Sequence, residues 1–550
     1  MAGMPAFSWT LANSILIISL SALISKLLLQ AVVCWYLRRR ASSRKITILA
    51  RVKLEEAQYQ LSASQSPKTD DGEWEKVEKH TAGSANNGGE ADDEWEGTIG
   101  FFHPFCNAGG GGERVLWAAI KATQKRWPKA VCCVYTGDHE AGKYEILQRV
   151  QNRFNIELHP PTVVFLYLST RHYVLSSTWP HFTLLGQSLG SIFLAFDAFS
   201  LLVPDIFIDT MGYAFVLAFS KFCFPKIPTG AYVHYPTIST DMLGSLDTSP
   251  ALGNGLNAGT GKGLRGFLKK RYWHVFANLY SRVGGSVDIV MTNSSWTASH
   301  IRTLWGPVRT KRRKPHAVSV VFPPCAVDDI INAIPLNAQS EAKREPTVLY
   351  IAQFRPEKNH SLLLRSFARF LKSQSGLRKR EEGPGLPKLV LIGSVRDASD
   401  ATRVYELRLL AHELHLTPNH ITFITDASFP TILSHLAAAS VGANCMWNEH
   451  FGIGVVEYQA AGLIPVVNDS GGPKMDIVIA WEGGETGFKA STEEGYAERF
   501  AQVLGMDGED RLEMRKRARG RARAFGEEEF EKRWIDEVGR LVEMVAEERK

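Results

Sequence analysis

Two acids, Glu449 and Glu457, stand eight positions apart around a turn that contains Gly452 and Gly454. The stretch runs Asn444-Cys-Met-Trp-Asn-Glu-His-Phe-Gly-Ile-Gly-Val-Val-Glu457 and continues to Gly471-Gly472-Pro473. An apolar run from Leu436 to Val441 precedes it and reads as a strand. Val455 to Ala461 reads as a short helix, and Leu463 to Val467 as the next strand. Strand, polar loop, helix, strand is the alternation of an α/β sheet, in which ligands meet the carboxyl ends of the strands. The first acid is then expected in the loop and the second in the first turn of the helix. There a carboxylate can hold ligand hydroxyls while backbone N–H groups take an anion.

Arg355 and Lys358 come next. They follow the strand Thr347 to Ala352, where it feeds a helix from Leu362 to Leu371. Two cations and oriented N–H groups at such a junction suit a diphosphate. Two solvated surface cations are the plainer alternative. The run Gly109, Gly110, Gly111, Gly112 lies between a strand, Thr98 to Pro104, and an apolar helix opened by Glu113-Arg114. Glycines let backbone approach a ligand closely. The run lacks both the setting of a dinucleotide GxGxxG and the Lys-Ser/Thr of a P-loop. An anion or sugar therefore fits it better than a nicotinamide or ATP, with a bare turn as the alternative. His234 ends a strand just before Tyr235-Pro236, where it can touch substrate or be satisfied structurally.

Two α/β frames are needed to position these residues. Residues 98–320 and 346–480 each show the strand–helix rhythm of a Rossmann-like half, and a cleft between them is the natural site. Pro323-Pro324-Cys325 marks a boundary. A chain of 550 residues, 45% hydrophobic, has room for two to three such cores. The net charge of +6 is mild, and without aromatic–basic interleaving it argues against nucleic acid as a partner. Seven cysteines are scattered with no CxxC pair, which opposes structural zinc and a disulfide framework and favours a reducing compartment.

Leu11 to Leu37 is almost wholly apolar, interrupted by Lys26 and Gln30, and is long enough to span a bilayer. Arg38, Arg39, Arg40, Arg44 and Lys45 follow at once. An uncleaved anchor with everything after it in the cytosol is expected. Residues 46–63 look like an amphipathic helix, and 64–97 like an acidic disordered linker or insert. Residues 189–224 are apolar and aromatic enough to be either core or a monotopic membrane face. The basic–aromatic stretch 262–280 suits an interfacial helix. In the tail, apolar positions from Phe530 to Val545 recur at helical spacing.

The Glu449/Glu457 motif, the Arg355/Lys358 pair and the glycine loop before Glu113-Arg114 together resemble the retaining GT-B glycosyltransferases of family 4. Three longer strings, Phe102 to Trp117, Tyr235 to Met242 and Phe354 to His360, resemble the endoplasmic-reticulum α-1,2-mannosyltransferases of N-glycan assembly within that family. The resemblance spans residues 98–545 and implies an α/β GT-B fold of two Rossmann-like domains with an N-terminal transmembrane helix. The implied division is an anchor at 11–37, a basic stub and acidic linker at 38–97, an acceptor-side domain at 98–325, a GDP-mannose domain at 326–506 and bracing helices at 507–550.

The resemblance further implies retaining transfer of mannose from GDP-mannose to dolichyl-pyrophosphate-linked Man3GlcNAc2, in two α-1,2 additions. Arg355 and Lys358 would neutralise the diphosphate, Glu449 would hold mannose hydroxyls, and Glu457 would bind the ribose. Gly452 and Gly454 would approach sugar and phosphate, Gly109 to Gly112 would cradle phosphate, and His234 would lie near the reacting sugar. Front-face transfer is expected, with Glu449 as a covalent nucleophile the alternative. No metal or other cofactor is expected, since the two cations replace it. The implied partners are the lipid-linked oligosaccharide, membrane lipid and other early N-glycan mannosyltransferases. The implied place is the cytosolic face of the endoplasmic reticulum. Another lipid-linked-oligosaccharide transferase of the same fold, or a non-catalytic scaffold, are the alternatives.

Overall fold

The computed structural model describes residues 5–65, 95–244, 264–374 and 385–549. Most of the acidic stretch expected as a linker lies outside them. The first lobe is built on β1 (Thr98–Phe102), β2 (Val131–Thr136), β3 (Val163–Tyr167), β4 (Ile206–Asp209), β5 (Thr229–Val233), β6 (Ile289–Thr292) and β7 (Val318–Val320). Their order is β3-β2-β1-β4-β5-β6-β7. Every pairing is parallel. The central strands are buried along their whole length, as parallel strands covered on both faces must be. Helices Thr183–Leu201, Ala214–Cys223, Leu264–Gly284 and Ser295–Lys311 pack on one face. Gly111–Arg126, Lys143–Phe154 and the last helix, Glu527–Arg549, pack on the other.

The second lobe carries β8 (Glu345–Ile351), β9 (Lys388–Gly393), β10 (Ile421–Thr425), β11 (Ala439–Asn444), β12 (Ile464–Asn468) and β13 (Phe488–Ala490). Their order is β10-β9-β8-β11-β12-β13, again parallel throughout. In each sheet the strand order reverses once, between β1 and β4 and between β8 and β11. A crevice opens at the carboxyl ends of such a pair, because the flanking crossovers leave on opposite faces.

The run Leu436–Val441 does not form the expected strand. Its first half ends the helix Phe429–Ala438, and the strand begins at Ala439. Ser428 caps that helix through Thr431 N–H, Pro430 sits in its first turn, and Leu436 is its buried residue. A short apolar run has no periodicity that separates a buried helix end from a buried strand.

The N-terminal helix runs unbroken from Pro5 to Gln65, with no stub at residue 38. The chain has no glycine or proline between residues 6 and 65 to stop it. Beyond the apolar stretch it docks on the first lobe, with Leu37, Ala41 and Val52 buried. Lys45 pairs with Asp205 at 2.9 Å, Glu55 with Lys143 at 2.6 Å and Glu56 with His159 at 2.6 Å. The segment 189–224 divides by helix. Ala214–Cys223 is core. Thr183–Leu201 buries one face and exposes Leu189, Phe193 and Phe196 on the other. Among the described residues, Thr183–Leu201 alone is long and apolar enough to cross a membrane by length and composition.

The last helix crosses back from the second lobe to the first. Trp534 is fully buried, stacks on Phe101 at 6.2 Å and donates from Nε1 to Thr123 Oγ1 at 3.1 Å. Arg114 Nη2 meets Glu527 Oε1 at 2.7 Å. The preceding helix, Gly508–Ala522, stays with the second lobe. Its buried Arg515 pairs with Glu341 and donates to the carbonyls of Ser440 and Gly462.

Candidate active site

The candidate residues converge from the two crevices. On the second lobe, β8 ends in the turn that carries Arg355 and Lys358, and β11 ends in the loop that carries Glu449. Lys358 Nζ donates to Glu449 Oε2 at 2.6 Å and to Met446 Sδ at 3.2 Å. Tyr350 OH holds the backbone at Lys358 by donating to its carbonyl at 2.7 Å. Burial by itself raises the Glu449 carboxyl, but Lys358 and the Asn444 amide outweigh it and hold the group below the usual carboxylate range. Glu449 is therefore an anion at neutral pH. Arg355 turns away from this pair. Its Nε meets Glu357 Oε1 at 3.0 Å, and both side chains are partly exposed.

Gly452 precedes the helix Ile453–Ala461 with φ +106°, a left-handed value that favours glycine. Glu457 lies in the second turn of that helix, one turn further in than expected. No donor among the described residues reaches its carboxylate. Burial pushes the pKa of its carboxyl above the usual range, opposed by the charge of Arg114.

The glycine loop faces this turn from the first lobe. A Cβ at Gly111 would stand 2.9 Å from Ile453 Cδ1, the movable end of that side chain, so the two lobes meet closely here. Gly109 has φ +76° and lies against Arg153. Gly110 N donates to Glu113 Oε2 at 2.6 Å. Gly112 has His234 Nε2 within 3.7 Å of where its Cβ would be. His234 Nε2 donates to the Thr210 carbonyl at 3.1 Å, which leaves Nδ1 as an acceptor. Burial pushes the imidazole down to about 4, with the neighbouring His103 adding to the effect, so His234 is neutral.

Residues with no assigned part in the sequence reading complete the cleft. His103, at the end of β1, is buried and shares a 2.8 Å hydrogen bond with Thr210 Oγ1. Its Nε2 stands 3.9 Å from Glu113 Oε1. His450 stacks on Tyr235 at 4.1 Å and lies 5.6 Å from Trp296, both on the first lobe. His450 and Tyr235 directly follow Glu449 and His234 in the chain, and Tyr235 also opens the string Tyr235 to Met242. Among the described residues no group of three or more His, Cys, Asp or Glu side chains is placed to hold a metal ion.

Two facing Rossmann-like lobes with cations, carboxylates and glycine turns in the cleft define a GT-B glycosyltransferase. The architecture matches solved enzymes of that kind at low identity. One is Anabaena Alr3699/HepE in complex with UDP and glucose, with TM-score 0.51, 15% identity, and coverage of 80% of this chain and 99% of that one. Another is the Burkholderia multivorans α,α-trehalose 6-phosphate synthase, with TM-score 0.56, 13% identity and coverage of 81% and 98%.

Two family models match the chain. Residues 96–305 match "ALG11 mannosyltransferase N-terminus" and residues 335–521 match "Glycosyl transferases group 1". The chain is 56% identical over 524 residues to the GDP-Man:Man(3)GlcNAc(2)-PP-Dol α-1,2-mannosyltransferase of Neurospora crassa, which covers 94% of this chain and 93% of the relative. It is 46% identical over 445 residues to the Homo sapiens enzyme of the same name, covering 80% and 87%. The chain belongs to this family of α-1,2-mannosyltransferases.

Proposed function

We propose that the chain transfers mannose from GDP-mannose, with retention, to dolichyl-pyrophosphate-linked Man3GlcNAc2, in two successive α-1,2 additions. The observation that carries this is the 56% identity along 94% of the chain to a relative named for that donor and acceptor. The cleft has the chemistry such a transfer needs. Departure of GDP breaks the bond from mannose C1 to the β-phosphate oxygen and builds negative charge on the diphosphate. Lys358, Arg355 and the N–H groups at the starts of helices Ile453–Ala461 and Gly111–Arg126 stabilise that charge more in the transition state than before it.

Glu449, held ionised by Lys358, accepts hydrogen bonds from the mannose hydroxyls, and Glu457 accepts them from the ribose. Neutral His234, whose Nε2–H is taken by the Thr210 carbonyl, offers Nδ1 as an acceptor beside the sugar. The acceptor's 2-hydroxyl attacks C1 from the face that GDP leaves. The new C1–O bond forms there, and the hydroxyl proton passes to the departing phosphate oxygen. Configuration is kept without a covalent intermediate on Glu449, whose Oε2 is already engaged by Lys358.

The lobes lie on the cytosolic side of the endoplasmic-reticulum membrane, anchored by the N-terminal helix. Support for this comes from the apolar run Leu11–Leu37 and the arginines at 38–40. An apolar face adjoins them. It comprises Leu28, Val32 and Trp35 on the N-terminal helix, Phe193 and Phe196 on Thr183–Leu201, and Phe267 on Leu264–Gly284, all exposed. Aromatic pairs join its parts, Tyr36 on Phe196 at 5.9 Å and Phe182 on Tyr272 at 5.3 Å. Lys269, Lys270 and Arg271 edge it, as suits an anionic bilayer surface.

Incubation of the detergent-solubilised protein with radiolabelled GDP-mannose and a trimannosyl dolichyl-pyrophosphate acceptor should yield products one and two α-1,2-linked mannoses longer. Transfer to a different lipid-linked acceptor, with none to this one, would overturn the substrate assignment.

A further inference from the structure

The loop that carries Glu449 is gripped from both lobes. On its own lobe, Gly472 N donates to the Glu449 carbonyl at 2.8 Å, and Asn448 N donates to Ser470 Oγ at 2.7 Å. A Cβ at Gly471 would stand 2.3 Å from the Glu449 carbonyl oxygen, so the loop is seated without clearance. The residues on either side of Glu449 reach across the cleft. Asn448 Nδ2 donates to Asp241 Oδ2 at 2.6 Å. The His450 ring lies nearly parallel to Tyr235, with 19° between the planes, and to Trp296, with 10°. The His450 carbonyl accepts from Ser294 Oγ at 2.6 Å. The next residue, Ser295, donates from N to Asp476 Oδ2 at 2.8 Å.

Asn448 has φ +51°, a left-handed value that Asn tolerates better than most residues, and it is this turn that sends the two flanking side chains outward and the Glu449 carboxylate inward. Burial pushes the His450 imidazole down to about 4, so at neutral pH it stacks as an uncharged ring. All the first-lobe partners come from two segments, 235–241 and 294–296. The former directly follows His234.

We propose that His450 and Asn448, clasped by Tyr235, Trp296, Ser294 and Asp241, are positioning residues through which the acceptor-side lobe sets the Glu449 carboxylate. The proposal rests on the assignment of Glu449 as the ligand of the transferred mannose. The second lobe can bind GDP by itself, but the sugar hydroxyls meet a correctly placed carboxylate only when the lobes are clasped. A carboxylate displaced by an ångström loses much of its value in the transition state. The clasp acts through the ring face of His450, not through its nitrogens, so an aromatic carbon ring can replace it.

The test uses the full chain in detergent, with the variants H450A, H450F, Y235A and the double variant H450A/Y235A. Loss of an aromatic pair is worth roughly a 2- to 10-fold change. H450A and Y235A should each lower kcat by about that factor, and the double variant should fall no further than the worse single one. H450F should restore turnover. GDP affinity, measured by titration, should change less than about twofold in all four, a difference small beside an aromatic pair. Hydrogen exchange of residues 445–452 should quicken in H450A and Y235A and return to normal in H450F. Exchange unchanged by H450A overturns the clasp whatever the protein transfers. A wild type that transfers mannose while H450F is as slow as H450A overturns it too, because the imidazole then acts chemically. A wild type that does not use the trimannosyl acceptor overturns the proposed function instead, and leaves the exchange result to decide the clasp.

Discussion

Lys358 and Glu449 form the tightest charge pair in the cleft, and each needs the other. A buried carboxylate without a counter-charge is costly, and a lone cation would lose its orientation. Lys358→Ala should lower turnover about 100- to 1000-fold, the scale seen when one preorganised charge-stabilising group is removed from an active site. The check is a kcat measurement beside a thermal melt, and full turnover in a folded variant would sink the site assignment. Glu457 offers a separate test. Its pKa lies above the usual carboxylate range, because burial disfavours the charge more than Arg114 restores it. Ribose hydroxyls donate to the charged form, so binding GDP-mannose must expel any proton from Glu457. Donor affinity should therefore weaken as pH falls through that raised value, and strengthen above it. Glu457→Gln should bind more weakly and show a flat profile over that window. A wild-type affinity that does not vary with pH there would remove the ribose role. The residues themselves were visible in the chain as types at fixed spacings. Which of them share a hydrogen bond was not. Arg355 and Lys358 are three apart in sequence, yet one turns to Glu357 and the other to Glu449.

At the level of elements, the strands were legible because buried parallel strands are short continuous apolar runs ending in polar loops. The boundaries that failed were those where an apolar run belongs to two elements, as at Leu436–Val441, or where a helix had no signal to stop it, as at residue 38. The last helix shows what an element can do at a distance. It belongs by sequence to the end of the second lobe, but its apolar stripe is buried on the first lobe's sheet. Its Arg114–Glu527 contact ties it to the helix that begins at the glycine loop. Trp534→Ala should cost about 3–5 kcal/mol, the usual loss for deleting a large buried aromatic side chain. It should lower the melting temperature and loosen the first lobe's exchange protection ahead of the second's. A melt that matches wild type would mean that this helix is not part of the first lobe's core.

For the whole molecule, the docked N-terminal helix places the proposed anchor, the apolar face and the acceptor lobe on one connected body. The ion pairs of Lys45 and Glu55 with the lobe, and the Glu56–His159 hydrogen bond, make the helix part of the enzyme as well as a tether. A chain lacking residues 1–26 should still sediment with vesicles that contain anionic lipid, held by the remaining aromatic–basic face. Phe193→Glu combined with Phe267→Glu in that chain should release it. Vesicle binding unaffected by the two charges would show that the face does not meet the membrane.

The order of residues alone was enough to establish the α/β architecture and the two lobes, and to single out the candidate residues of the donor half. Period, turn residues and motif spacing are local properties, and the chain carries them before it folds. Folding had to decide the rest. The burial and ion pairing that shift the pKa values of Glu449, Glu457 and His234 come mostly from residues far away in sequence. The approach of Gly111 to Ile453, and the clasp of Tyr235 and Trp296 on His450, join segments more than 150 positions apart. Desolvation and cross-lobe contact depend on how two complete sheets settle against each other, and no window of sequence contains both.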